Sequence, residues 1–269
     1  MRTSVAVLVA AVALILLSGA SGSPSPPRLY PSAVAFSDRL HGELSFASAE
    51  CESCRPGGAI AVTSDGGKTW RVVRHTDRRV VAIGFFHDAY YAELDNGRLI
   101  SGQPASRDIF RGYCPKGWTA GYSADIVDTN TDTPWSICVG LPGAGNQAKA
   151  VYRGKKRVAY TPNSAHGRYG GISSYGYPLG IAGTHGGFGI IWESRGTLYV
   201  TPDGGHHWRA LPKVAQPELD FGDWADVVSG RLGFVLLMRS VGSGETWRLI
   251  ETTNAGRTWR VVHRWHERL

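Results

Sequence analysis

Several side chains in this chain of 269 residues could do chemistry, and each group suggests a different one. His206 and His207 are adjacent in a Gly-rich turn and invite a metal reading. Neighbours on a hairpin tip point apart, so a shared ion is not expected. His41, His87 and His185 each stand beside Gly or Asp and read as local turn chemistry. Asp125, Glu193 and Asp226 could converge as the carboxylates of a glycoside hydrolase, although no spacing along the chain supports it. Cys51-Glu52-Ser53-Cys54 has redox spacing but lacks the βαβ context such a pair needs. Arg74, Arg78, Arg79, Lys149, Arg168 and Arg195, with Tyr169, Tyr175 and Tyr177, fall in long irregular segments. Arginine forks and tyrosine rings suit recognition of carboxylate or sulfate groups.

The elements that must position these residues announce themselves by repetition. Nearly the same eight-residue phrase occurs three times, at Thr63-Ser64-Asp65-Gly66-Gly67-Lys68-Thr69-Trp70, Thr201-Pro202-Asp203-Gly204-Gly205-His206-His207-Trp208 and Thr252-Thr253-Asn254-Ala255-Gly256-Arg257-Thr258-Trp259. Each lies between two short apolar or alternating runs, which is the signal of a β-hairpin. Asp65, Asp203 or Asn254 can fold back onto backbone N–H groups, while glycine supplies positive φ. The closing tryptophan starts the next strand and buries a large apolar area.

The phrase resembles the Asp-box, or BNR repeat, of β-propellers such as sialidases, sortilin-type receptors and photosystem II assembly factors. Thr63, Asp65, Gly67, Thr69 and Trp70 match it fully. In the second copy (Thr201, Asp203, Gly205, Trp208) His207 replaces Thr, and in the third (Thr252, Asn254, Gly256, Thr258, Trp259) Asn254 and Ala255 depart from the pattern. The resemblance implies an all-β fold of antiparallel four-stranded blades in which these turns are structural staples. Thr201 and Thr252 are about one blade apart, and the gap from Thr63 to Thr201 has room for two degenerate copies. Tyr91–Ile100, with an Asn-Gly turn, and Ala148–Val158 supply them. Five blades are expected, at about 30–76, 77–115, 116–162, 163–213 and 214–269, forming one domain over 30–269.

Ahead of that domain, residues 1–22 read as a secretory signal, with Arg2, an apolar core from Val5 to Leu17 and small residues from Ser18. A Pro/Ser leader follows over 23–29. The apolar core is too short for a stable membrane span, so a secreted or cell-envelope protein is expected. Only 19% of residues are charged, with 35 Gly and 9 Trp, which suits an exported all-β domain. Four cysteines in such a chain suggest disulfides. Cys51–Cys54 and Cys114–Cys138 are the favoured pairs because each falls within or beside one repeat unit, with a four-cysteine zinc site as the alternative.

The formal net charge of +7 permits attraction to acidic polymers. Export and the lack of a binding motif argue against nucleic acid. Related sialidases carry an early Phe/Tyr-Arg-Ile-Pro motif, whereas the Phe-Arg pair here, Phe110-Arg111, is followed by Gly112-Tyr113. The expected function is therefore a non-catalytic, monomeric binding or scaffold module without cofactor or metal. It would recognise an anionic glycan or acidic protein segment, through the loops on the face opposite the Trp-terminated turns. A sialidase-like glycoside hydrolase is the alternative.

Overall fold

The computed structural model describes residues 29–48, 57–86, 89–101, 113–120, 134–143, 146–163, 168–169, 171–194, 197–211, 214, 220–241 and 244–266. The expected signal segment, most of the leader, Cys51, Cys54, Asp125, Arg195 and the expected strand Ile126-Val127-Asp128 lie outside the described residues. The protein is all-β, built from antiparallel sheets whose strands follow one another in chain order.

The first sheet holds β1 (Leu29–Phe36), β2 (Gly42–Ser48), β3 (Gly58–Thr63) and β4 (Arg71–Thr76). The second has three strands among the described residues, β5 (Val80–Phe86), β6 (Ala89–Leu94) and β7 (Leu99–Ser101), where four were expected. The third holds β8 (Thr119–Ala120), β9 (Trp135–Gly143), β10 (Asn146–Arg153) and β11 (Lys156–Thr161). A two-stranded ribbon follows, β12 (Arg168–Tyr169) with β13 (Ile172–Ser173). The fourth sheet contains β14 (Pro178–Gly183), β15 (Gly189–Glu193), β16 (Leu198–Thr201) and β17 (Arg209–Ala210). The fifth contains β18 (Asp220–Val227), β19 (Gly233–Val241), β20 (Gly244–Thr252) and β21 (Arg260–His266). The Asn-Gly hairpin joins β6 to β7 and the basic Gly turn joins β10 to β11, at the places read from sequence.

Sheet-on-sheet packing explains the burial pattern. β15 and β16 are buried at every position because neighbouring sheets cover both faces, which is why their sequences are nearly continuous apolar runs. Trp192 lies flat over Gly180, where a Cβ would sit 2.0 Å from the indole. The third sheet packs on the fourth through β9 and β14, the fourth on the fifth through β14, β15 and β18, and the first on the second through β1, β2 and β5. The last sheet also meets the first through β1, β18 and β19. Phe36 stacks on Phe234 with centroids 3.6 Å apart, and the Phe36 N–H donates to the buried Asp226 Oδ2 at 2.7 Å. Arg39 from the first sheet reaches Glu251 of the fifth at 2.9 Å. The fifth sheet thus meets the first by side-by-side packing, with no strand shared between them among the described residues.

Candidate functional site

The three Trp-terminated turns share one hydrogen-bond circuit. In the first, the Thr63 hydroxyl donates to Asp65 Oδ1 at 2.8 Å and accepts from Gly67 N–H at 2.9 Å. Asp65 then accepts from the Lys68 and Thr69 N–H groups at 3.0 Å, and Trp70 Nε1 donates to the Gly67 carbonyl at 3.0 Å. The Thr69 hydroxyl bond, ahead of the backbone bonds, holds the Asp65 carboxyl down at about 2. In the second turn, burial raises the Asp203 carboxyl, but the bonds from His207 outweigh it and leave the group at about 2. His207 Nδ1 lies 2.6 Å from Asp203 Oδ2, occupying the place of the Thr69 hydroxyl. Asn254 repeats the arrangement, accepting from Thr258 N–H at 2.9 Å and donating to the Thr258 hydroxyl at 2.8 Å.

Each turn also presses the glycine at its fifth position onto an adjacent sheet. A Cβ at Gly67, where φ is +84°, would lie 2.7 Å from Leu249 of the fifth sheet. At Gly205 it would meet Val158 of the third sheet, and at Gly256 Val200 of the fourth, both at 2.9 Å. Cations and rings complete the contact: Arg209 donates to the Gly256 carbonyl at 2.9 Å, and His263 Nδ1 lies 2.8 Å from the Lys68 carbonyl. The turns therefore join neighbouring sheets.

Of the carboxylates considered for hydrolysis, the two that are described, Glu193 and Asp226, lie in different seams. Glu193 and Lys149 form an ion pair between the third and fourth sheets, with side chains 1% and 0% exposed. Burial pushes Glu193 up to about 7 against the attraction of Lys149, and pushes Lys149 down. Asp226 is in the other seam, holding the Phe36 N–H. Of the basic, tyrosine-rich platform, Lys149 and Tyr175 are neighbours, and Arg78 and Arg79 are engaged elsewhere. Lys149 is not a surface residue, since its ammonium also donates inward to the Tyr175 carbonyl at 3.1 Å. Arg78 and Arg79 both face Asp95, at 3.4 and 3.7 Å. Arg168 and Tyr169 form β12 of the ribbon. Tyr175 and Tyr177 are 46% and 45% exposed, and Arg74 is exposed on β4. The Cys114–Cys138 disulfide is present and ties the segment before β8 to β9.

A different place has the geometry of a binding site. A cleft of about 520 Å³ opens between the first two sheets, walled by His41, Val62, Thr69, Trp70, Arg71 and, from β6, Tyr90. The Tyr90 hydroxyl accepts from the Ser37 N–H at 3.1 Å and donates to the Ser37 hydroxyl or the His41 carbonyl. Its phenol is pushed up to about 12, by burial first and then by the nearby Glu43 and Asp226 carboxylates. Glu43, Val62 and Arg71 pair across β2, β3 and β4 and so share one face. Glu43 is half-buried with no hydrogen bond or ion pair among the described residues, and desolvation pushes it up to about 7.

Outside this cleft runs β4, whose residues are exposed from Arg71 to His75. A bulge between Ile60 and Ala61 pairs Arg71 with Val62 and Arg74 with Ile60, which brings both arginines to one face. Neither has a hydrogen-bond or ion-pair partner among the described residues. The shared face of Arg71 and Arg74 was not visible in the sequence, because a bulge leaves no mark in composition. His41 sits in its turn as read, bonded through Nδ1 to Asp38 at 2.8 Å.

No family model and no curated protein matches this chain. Among solved structures, the chain is similar to YCF48 bound to D1 peptide, at 14% identity over 88% of this chain and 83% of that one, with a TM-score of 0.33. It is also similar to YCF48 from Cyanidioschyzon merolae, at 14% identity over 80% and 94% of the two chains, with a TM-score of 0.39. A GH74 xyloglucanase from Xanthomonas campestris matches at 14% identity and a TM-score of 0.31, with this chain spanning 38% of the enzyme.

Proposed function

We propose that this chain is an exported, monomeric binding module, a five-bladed Asp-box propeller that captures an extended acidic protein segment along β4. The observation that carries this reading is the character of that strand. It is an outer strand with no pairing on its far edge among the described residues, and no residue along it is buried. Of the other last strands of the sheets, β7 and β17 are shorter, and β11 and β21 each bury at least one side chain, whereas β4 buries none. Exposed Val72 and Val73, with unpartnered Arg71 and Arg74, offer apolar contact and two cations beside that edge. A backbone ladder recognises another backbone, which a glycan lacks, so the acidic segment is favoured over the anionic glycan.

The test is fluorescence anisotropy with a peptide alternating Glu and Thr. The double variant Arg71→Glu/Arg74→Glu should weaken binding at least about tenfold, while Arg168→Glu should leave it unchanged. Equal loss in both variants, or binding of heparin in preference to the peptide with loss on Tyr175→Ala/Tyr177→Ala, would move the site to the opposite face and to a glycan. Hydrolysis of a fluorogenic sialoside would reinstate the enzyme reading.

A further inference from the structure

We propose that the cleft between the first two sheets is a specificity pocket that takes an aromatic side chain of the captured segment. This rests on the reading of β4 as an acceptor of extended acidic segments, and adds a second required group to it. Arg71 is at once the first residue of β4 and a wall of the cleft, so the two surfaces are continuous. Its register partner Val62 also lines the cleft, which puts the opening on the face of the first sheet that carries Arg71. A strand laid along the outer edge of β4 directs alternate side chains to that face, about 5 Å beyond Arg71.

What the walls offer decides which side chain fits. Trp70 sends its Nε1–H to the Gly67 carbonyl at 3.0 Å, and the Thr69 hydroxyl donates to Asp65 Oδ2 at 2.7 Å. The Tyr90 hydroxyl is taken up by Ser37 and His41, and His41 Nδ1 by Asp38. Trp70, Thr69 and Tyr90 have therefore committed their polar tips elsewhere and offer the cleft ring carbon and a methyl group, with the Val62 side chain beside them. Arg71 differs, being an exposed cation with no hydrogen-bond or ion-pair partner among the described residues. A carboxylate entering here would satisfy Arg71 but lose its hydration against carbon. An aliphatic chain would suit the rings and leave the guanidinium unanswered. An aromatic ring serves both, because it packs edge-to-face on other rings and takes a cation on its π face. The volume of about 520 Å³ is within the range of sites that enclose a small organic group.

The test is an anisotropy titration of the full chain with the alternating Glu/Thr peptide, and with copies in which each Thr in turn becomes Phe or Leu. One Phe position should tighten binding about tenfold, and Leu at that position no more than about threefold. Ser64 lines the cleft from an exposed position of its turn. Ser64→Trp should therefore fill the cleft, abolish the Phe gain and leave the Glu/Thr peptide bound as before. In wild type, ring current from the Phe peptide should move the Val62 methyl resonances upfield, far more than the Leu peptide does. The inference is overturned by an equal gain from Leu, a Phe gain that survives Ser64→Trp, no gain at any position, or Val62 methyls unmoved by the Phe peptide. Each of those leaves the β4 reading standing. Absence of binding by every peptide overturns both.

Discussion

At the scale of single residues, the polar side chains that looked chemically active from sequence are mostly holding the fold. Lys149 and Glu193 have surrendered their hydration to sit between two sheets, and each needs the other. Lys149→Met should cost about 3–5 kcal/mol in chemical denaturation because it strands a buried carboxylate, and adding Glu193→Leu should restore most of the loss. Additive losses in the double variant would mean the two are not coupled. Asp65 makes a pH prediction. Its folded carboxyl sits at about 2 against an ordinary value of 3.8, so its stabilising effect is present above the ordinary value and is lost as pH falls through about 2. Wild type should therefore gain stability over Asp65→Asn between those limits and hold a constant lead above them; parallel curves through that window would contradict the circuit described. The Asn254 turn shows that an amide can complete the same loop, so the variant should fold.

Among the elements, the hairpins were the most legible part of the sequence. Thr63, Asp65, Gly67 and Trp70 have fixed local jobs at fixed spacing, and local hydrogen bonding is what sequence records best. The Tyr91–Ile100 and Ala148–Val158 hairpins and the Cys114–Cys138 pair were legible for the same reason, since their partners are close in the chain. What each residue faces was not. Lys149 stands between Ala148 and Ala150 in β10, and only the placement of the segment carrying Tyr175 reveals that its ammonium is enclosed. Arg71 and Arg74 share a face because of one bulge, and nothing in Arg71-Val72-Val73-Arg74 signals it. β4 itself yields a further expectation. Val72→Lys/Val73→Lys should change stability by less than about 0.5 kcal/mol, since both side chains are exposed. It should nevertheless weaken peptide binding by removing the apolar contact; a large loss of stability would show that β4 is packed, not free.

For the whole molecule, the seams decide the architecture. Turns anchored by Gly67, Gly205 and Gly256 each lean on another sheet, and the stacked Phe36–Phe234 rings join the first sheet to the fifth. Such a frame commits the sheet faces to one another and leaves outer edges as the surfaces available for partners. Of those edges, β4 is six residues long, unburied and basic. Hydrogen exchange across the full chain, with and without the alternating Glu/Thr peptide, is the most direct test. Added protection confined to the amides of Arg71–Thr76 and the adjoining cleft is the predicted result. Protection centred instead on Tyr175 and Tyr177, with β4 exchanging as before, would contradict it.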